Sequence, residues 1–321
     1  MISNKKILIT GAAGFIGANL AHYLAKTDNQ LVLFLREKSV NDWRIKALCK
    51  QKNVRMVRGN IEKKGTLKFI QKLQPDVIIH NAIHGGYGFQ QKFKKRVINT
   101  NFLGTVNLLE EVKNIDFDCF ILTGSSSEYG IKNKPMSEKD TLEPAGAYGV
   151  SKAAASLYAS YIARETGKKI IIARPFSVFG DYEEKTRLIP YIVTQYLRHQ
   201  KTLHLRTPHA PRDYLFIADL MDFYCKIISS PSLFKPGEVV NLGSGTETRV
   251  VDLVNVCKRV LHHDFEICLS SGTDREGDVF KKWRSDTSRI RERFNWQPKH
   301  SLEQGIIKTV AWFRKNLRFY V

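Results

Sequence analysis

The sequence has no long apolar run. Its longest uninterrupted stretches, such as Leu31–Leu35, are about five residues, against the roughly 20 residues that a membrane-spanning helix needs, so no membrane insertion is expected. Cysteine is scarce and odd in number: Cys49, Cys119, Cys225, Cys257 and Cys268 form no C-x-x-C pair. That argues against a disulfide framework or a thiolate metal site, and predicts free thiols in a reducing compartment. His80 and His84 stand four apart, but at a strand end and in the loop beyond it and not on one helix face, and no carboxylate pair accompanies them, so no catalytic metal is expected. Met1–Lys6 leads straight into an apolar run without a secretory leader, which predicts a cytoplasmic protein. Acidic residues are few, 31 against 51 basic ones, for a formal net charge of +20. That balance raises a nucleic-acid partner. The basic residues are dispersed, however, in pairs such as Lys63-Lys64 and Lys168-Lys169. Their densest cluster, Lys92–Arg96, reads first as a solvated helix face and second as attraction for a doubly anionic phosphate substrate. No nucleic-acid partner is expected.

What the chain does have is a glycine-rich turn near its start. Ile7–Ile9 reads as a buried parallel strand. Gly11, Gly14 and Gly17 follow, and Ala18–Lys26 carries helical spacing. One glycine permits a sharp turn with positive φ, another lets backbone approach a pyrophosphate, and the helix N-terminus offers free N–H groups and a positive dipole end. The spacing is G-x-x-G-x-x-G, not the commoner G-x-G-x-x-G. Three glycines alone suit any tight βα turn; the strand–helix–strand pattern that follows lifts this one above that. Strands recur at Leu31–Leu35, Val54–Val57, Val77–His80, Phe120–Thr123 and Ile170–Ala173. This is βαβ alternation, hence an α/β doubly wound parallel sheet.

With 321 residues, 43% of them hydrophobic, the chain can fill one large domain or two intimate ones. Past Arg174 the rhythm changes. Prolines at 175, 190, 208, 211, 231 and 236 interrupt it, and only Val239–Leu242 reads as another sheet strand. Val250–Leu261 reads as a helix, and Ser301 with Gln304 as a capping box opening a last one. The expected division is residues 1–174, with a strand near 239–243 added back, and a smaller mixed α/β substrate lobe over 175–321, partly interleaved.

Two further stretches carry chemistry. Tyr148 and Lys152 stand four apart in Y-G-V-S-K, on one face of a helix. An ammonium beside a phenol favours phenolate and tunes it toward general-base work near neutrality. Taken alone, the pair is an ordinary surface pair on a helix. Gly124–Gly130, G-S-S-S-E-Y-G, begins at the carboxyl end of the Phe120–Thr123 strand, where open parallel sheets bind ligands. Alone it is a Ser/Gly turn.

Together T-G-A-A-G-F-I-G, H-N-A, N-T-N-F-L-G-T, S-S-S-E-Y-G, Y-G-V-S-K and R-P-F-S-V-F-G resemble the extended short-chain dehydrogenase/reductase family, and within it the nucleotide-sugar epimerases, dehydratases and 4-ketoreductases. The resemblance runs from Ile7 to about Trp312. It implies a Rossmann-like fold and, position by position, these roles. Gly11, Gly14 and Gly17, with Phe15 and Ile16 between them, would hold the pyrophosphate. Asn60 and Ile61 stand near adenine, Asn60 replacing the usual Asp. Ala82 would lie along the cofactor and Asn101 would support the active-site helix. Ser125 matches the catalytic Ser/Thr, Tyr148 the proton shuttle, and Lys152 its partner, which also holds the nicotinamide ribose. Pro175, Phe176 and Ser177 would lie near nicotinamide and substrate. Ser126, Arg187, Arg212, Arg275 and Asp278 stand among the substrate-binding positions. Arginine there suits a diphosphate because its planar fork makes bidentate contacts. Asp219 and Asp286 read as structural caps, His80 as backbone support and His84 as a loop residue.

Two departures shape the expectation. The family's 4,6-dehydratases carry Asp-Glu after the catalytic Ser/Thr, where this chain has Ser126 and Ser127. The ribose-binding acid after the second strand is replaced by Arg36, which favours the 2′-phosphate of NADP(H); Glu37 beside it leaves NAD(H) open. The resulting expectation is hydride transfer at carbon 4 of a nucleotide-diphospho-sugar, leaning to a 4-ketoreductase, with a 4-epimerase as alternative. A homodimer is implied, with Ala154, Tyr158 and Ile162 a candidate apolar stripe that core packing explains equally well. A non-catalytic dinucleotide-binding regulator is the rival of another class; the Ser125–Tyr148–Lys152 set argues against it.

Overall fold

The computed structural model describes residues 2–37, 42–85, 93–269 and 282–320. Two compact units emerge: residues 1–130, 138–174 and 221–240, and residues 131–137, 175–220 and 241–321.

The first unit is built on β1 (Lys6–Thr10), β2 (Gln30–Leu35), β3 (Val54–Arg58), β4 (Val77–His80), β5 (Cys119–Thr123) and β6 (Ile170–Pro175), which run parallel. The order across the sheet is β11-β6-β5-β4-β1-β2-β3, with β11 spanning Val239–Leu242. The inner strands are buried along their length, each buried Leu or Ile contributing about 1.5–3 kcal/mol. The edge strand β3 exposes Arg55 and Arg58, charges that blunt a free edge. The helices are α1 (Phe15–Leu24), α2 (Phe69–Leu73), α3 (Lys94–Ile98), α4 (Gly104–Val112) and α5 (Ala147–Thr166). α1 begins directly after Gly14, whose carbonyl accepts from the Ala18 N–H, earlier than apolar spacing alone indicates. On α3, Lys94–Arg96 are exposed and Val97 is buried, the solvated face expected of that cluster; Lys92 lies outside the described residues. The order reverses between β1 and β4, and the carboxyl ends of strands at such a point are where parallel sheets bind ligands. Thr10 and His80 are register partners there.

The second unit uses short ladders: β7 (Ser177–Phe179) with β10 (Tyr214–Phe216), β8 (Thr202–Leu205) with β13 (Glu266–Leu269), and β9 (Pro211–Arg212) with β12 (Thr248–Arg249). Two to four residues each, these strands are too short for periodicity to reveal. α6 (Leu188–Leu197) keeps Pro190 because the proline falls in its first turn, where no N–H is required. α7 (Ile217–Ser229) is divided between the units after Leu220. α8 (Val250–Leu261), α9 (Ser288–Phe294) and α10 (Leu302–Asn316) follow. The Ser301–Gln304 capping box is formed. α10 packs tightly on Phe179: a Cβ at Gly305 would lie 2.6 Å from its Cζ. Asp286 accepts from the Ser288 N–H and hydroxyl at the entry to α9, and Asp219 anchors Lys299 and His300. All five cysteines are free. Among the described residues, no helix is long and apolar enough to cross a membrane and no cluster of side chains suits a metal.

Candidate active site

The glycine turn is held by backbone contacts that leave no room for side chains. Gly11 has φ +65°, and a Cβ on it would lie 2.6 Å from the Asn81 carbonyl. A Cβ on Gly17 would meet the Gly11 carbonyl at 2.3 Å, so α1 starts tight against the turn. Gly14 caps α1 without a side-chain hydrogen bond, and no acid stands in the first helical turn. The N–H groups at Phe15 and Ile16 therefore end the helix beside a turn stripped of side chains and negative charge, which suits a diphosphate. Ala82 donates its N–H to Thr10 Oγ1 (3.2 Å). Asn60 Oδ1 accepts from the Glu62 N–H, and Ile61 is buried against Gly104. Arg36 is exposed; its Nη2 donates to the Ile83 carbonyl at 2.7 Å. Burial of its guanidinium and then the charge of Arg96 press its pKa down, with Glu62 opposing. His84 is likewise pushed down by burial, Arg96 and Arg36, so the positive charge at this rim is that of the two arginines.

Ser125 follows β5 in extended conformation and caps a short 3₁₀ turn, Ser126–Glu128. Its Oγ accepts from the Ser127 N–H at 3.1 Å. Ser126 and Ser127 are buried beside it. Lys152 is buried, and its Nζ donates to the Thr123 carbonyl at the end of β5. Burial lowers its pKa to about 8, opposed by the charge of Glu128. α5 approaches the serine turn closely: a Cβ at Gly149 would lie 2.5 Å from the Ser127 carbonyl. Tyr148 precedes that glycine and is half-buried. The other tyrosine, Tyr129, is fully buried, and burial pushes its phenol up to about 12. Tyr129 is thus a neutral donor-acceptor and not a proton shuttle. Pro175 is buried at the end of β6.

Sequence reasoning missed the polar chain that ties the glycine turn to α5. Asn101 sits on a π-helical stretch, Asn99–Leu103. Its Nδ2 donates to Ser151 Oγ (3.0 Å), and Ser151 donates to the Tyr148 carbonyl (2.8 Å). Thr105 donates to the Asn101 carbonyl, so its oxygen accepts from His80 Nε2 at 2.9 Å. His80 is held neutral, its pKa lowered to about 3 by burial and by Lys152. Its Nδ1 must therefore accept, and it does so from Thr10 at 2.6 Å. The tautomer is fixed by counting protons. Asn101 also clamps the backbone of His84 through both amide atoms. Its members stand at two strand ends, Thr10 and His80, and on three helical stretches, Asn101, Thr105 and Ser151, so no single-element pattern exposes it. Glu128 and Arg174, a buried ion pair at 2.7 Å, were missed as well.

In the second unit, Ser177 donates its N–H to the Asp213 carbonyl, and exposed Arg187 caps α6. The guanidinium of Arg212 lies 5.7 Å from the centroid of the Trp283 ring and donates to the Pro211 carbonyl. Arg275 and Asp278 lie outside the described residues.

A model of the NAD dependent epimerase/dehydratase family matches residues 7–243. A putative UDP-glucose 4-epimerase of Methanocaldococcus jannaschii is 25% identical over 323 residues, covering 97% of this chain and 99% of that protein. The crystal structure of dTDP-glucose 4,6-dehydratase from Bacillus anthracis in complex with NAD superposes with a TM-score of 0.85 at 27% identity, covering 98% of each chain. The UDP-glucose 4-epimerase of Thermotoga maritima with UDP-glucose gives 0.85 at 26%, covering 97% of this chain and 99% of that one.

Proposed function

The chain belongs to the NAD dependent epimerase/dehydratase family, and from that membership we propose that it transfers hydride at carbon 4 of a nucleotide-diphospho-sugar and reduces a 4-keto group there. One observation carries the reading. Lys152 donates to the Thr123 carbonyl at the carboxyl end of β5, two residues before Ser125, and the first turn of α5, which carries Tyr148, packs at Gly149 against the same serine turn. The bound nicotinamide supplies the two-electron chemistry. Tyr148 exchanges the proton of the carbon-4 oxygen, Ser125 donates a hydrogen bond to that oxygen, and Lys152 as ammonium favours the phenolate of Tyr148. Gly11, Gly14, Phe15, Ile16 and Gly17 hold the diphosphate of the dinucleotide; Asn60, Ile61, Ala82 and Pro175 line its remaining length. Ser126, Ser177, Arg187, Arg212, Arg275 and Asp278 take the substrate. Ser126 and Ser127 have no acid–base function to offer, so elimination of water has no agent at that position.

Arg36 sets the outcome. Its charge, gathered with that of Arg96, suits a 2′-phosphate, hence NADP(H), and a reductase that exchanges its cofactor every turnover. A second reading, 4-epimerisation with retained NAD, is favoured by the two epimerases named above and by the dehydratase complexed with NAD. Incubation of the purified protein with nucleotide-sugars and their 4-keto forms, with NADPH or NADH, separates the two. Reductase activity needs added NADPH, whereas interconversion of epimers without added cofactor establishes the epimerase.

A dimer is part of the same reading. Ile162 lies in the core and Tyr158 is partly buried against it, so the stripe Ala154–Tyr158–Ile162 faces largely inward. Val150, Leu157 and Tyr161, at i, i+7 and i+11 on α5, are the exposed apolar side chains instead. A second copy of α5 is the occupant that suits this face, and sedimentation of the Leu157→Glu variant as a monomer is the expected result.

A further inference from the structure

We propose that Glu128 and Arg174 form a positioning pair for the reaction: Glu128 fixes the backbone of Ser125, and Arg174 holds that carboxylate in place. The inference rests on the carbon-4 reading above.

Glu128 is fully buried and Arg174 nearly so. The two oxygens of Glu128 do different things. Oε1 accepts from the Ser125 N–H at 2.8 Å, closing a reciprocal capping box around the serine. Oε2 accepts from Arg174 Nε at 2.7 Å. Arg174 in turn donates to the Tyr129 hydroxyl at 2.9 Å and stacks 4.8 Å from the centroid of that ring. There is no slack behind the carboxylate: a Cβ at Gly124 would lie 2.6 Å from Oε1. Ser125 therefore cannot rotate its backbone without breaking a charged hydrogen bond inside a packed interior. Arg174 supplies the cation that a carboxylate taken out of water needs against it.

The same charge reaches Lys152. The groups that face Lys152 electrostatically are Glu128, from the turn after β5, and His80, from the end of β4; Tyr148 is one turn back on its own helix. His80 is neutral. Glu128 therefore supplies the negative charge that opposes the lowering of the Lys152 pKa by burial. Removing it lets Lys152 lose its proton at lower pH, and the alkaline limb of turnover moves down with it. A residue serving only to fill the core would not move that limb.

The test is the pair of variants Glu128→Gln and Glu128→Gln/Arg174→Met, assayed beside Tyr148→Phe. Gln keeps an acceptor for the Ser125 N–H and removes only the charge. The double variant also removes the buried cation that Gln would strand. The expected result is kcat lower by about tenfold to a hundredfold, as for misplacement of a reacting group, an alkaline limb displaced to lower pH in both variants, and KM and cofactor affinity unchanged. Folded variants with parental kcat and pH profile, while Tyr148→Phe is inactive, would overturn the pair and leave the carbon-4 reading standing. If Tyr148→Phe is itself as active as the parent, the carbon-4 reading falls. Failure of both Glu128 variants to fold would also overturn the proposal, by making the pair a folding element and not a device of the site.

Discussion

Glu128 in the first unit and Asp213 in the second are both fully buried carboxylates, and they are stabilised differently. Glu128 has a cation against it and a single backbone donor. Asp213 takes donors from uncharged groups: the N–H and hydroxyl of Ser244, the N–H of Gly245, and the N–H and hydroxyl of Ser285. Burial raises its pKa, and those donors pull it back. Asp213 thus ties the strand end at Arg212 to two separate loops, which is scaffolding. Glu128 needs few donors because Arg174 balances it, and it sits directly behind Ser125, the serine proposed to act on the carbon-4 oxygen. The lesson is that a buried acid's partners, more than its burial, distinguish a knot in the fold from a part of the chemistry.

The largest expected effect tests whether the polar interior of the first unit serves a reaction at all. Tyr148→Phe should retain cofactor binding and lose about 10²–10⁴-fold in turnover, the range for a removed acid–base group. Steady-state kinetics beside a cofactor titration checks both halves. Activity within a few-fold of the parent removes Tyr148 from the mechanism and weakens the contrast between the units.

Next comes the second unit's share. Arg212→Ala should raise the apparent KM for the nucleotide-sugar by the equivalent of about 1.5–3 kcal/mol, the magnitude of a hydrogen bond to a charged group, with cofactor affinity little changed. If cofactor binding suffers instead, Arg212 does not serve the substrate diphosphate. Asp213→Asn follows in size. The amide turns two donor hydrogens toward groups that themselves donate, and about 1–3 kcal/mol of stability should go. Denaturant unfolding measures it; an unchanged midpoint would mean that the five donors find water as readily as the carboxylate.

Much of this architecture was legible in the chain. Strand β1, the glycine turn and α1 follow from apolar runs and from residues that only a tight turn requires. Val239–Leu242 and Val250–Leu261 match the elements expected there. The short ladders of the second unit were not legible, because two-residue strands such as Pro211–Arg212 carry no period. Of the chain from Thr10 through His80, Thr105, Asn101 and Ser151, only Asn101, expected to support the active-site helix, and His80, expected as backbone support, were marked. Thr10, Thr105 and Ser151 are unremarkable on their own elements, and the hydrogen bonds join positions up to 70 apart. Glu128 was hidden differently: it stands inside a motif whose serines drew the attention, and its partner lies 46 residues on.

The smallest expected effect concerns Arg36, and it decides between the two readings of the reaction. A reductase gives up an oxidised cofactor each turnover and gains from recognising the reduced NADP pool; an epimerase restores its own cofactor and gains from holding NAD. Arg36 is exposed, so an ion pair with a 2′-phosphate is screened and worth about 1 kcal/mol, roughly fivefold in affinity. Its guanidinium is held at the Ile83 carbonyl, and the charge of Arg96 acts against it, so two positive charges share the site before any ligand arrives. An anion relieves that crowding, whereas the 2′-hydroxyl of NAD does not. Arg36→Ala should therefore weaken NADPH several-fold and leave NADH nearly untouched, and the NADPH effect should shrink as salt is raised. Protein that purifies with stoichiometric NAD, and whose NAD affinity falls on the same substitution, would place Arg36 on the ribose side of an epimerase and end the case for reduction.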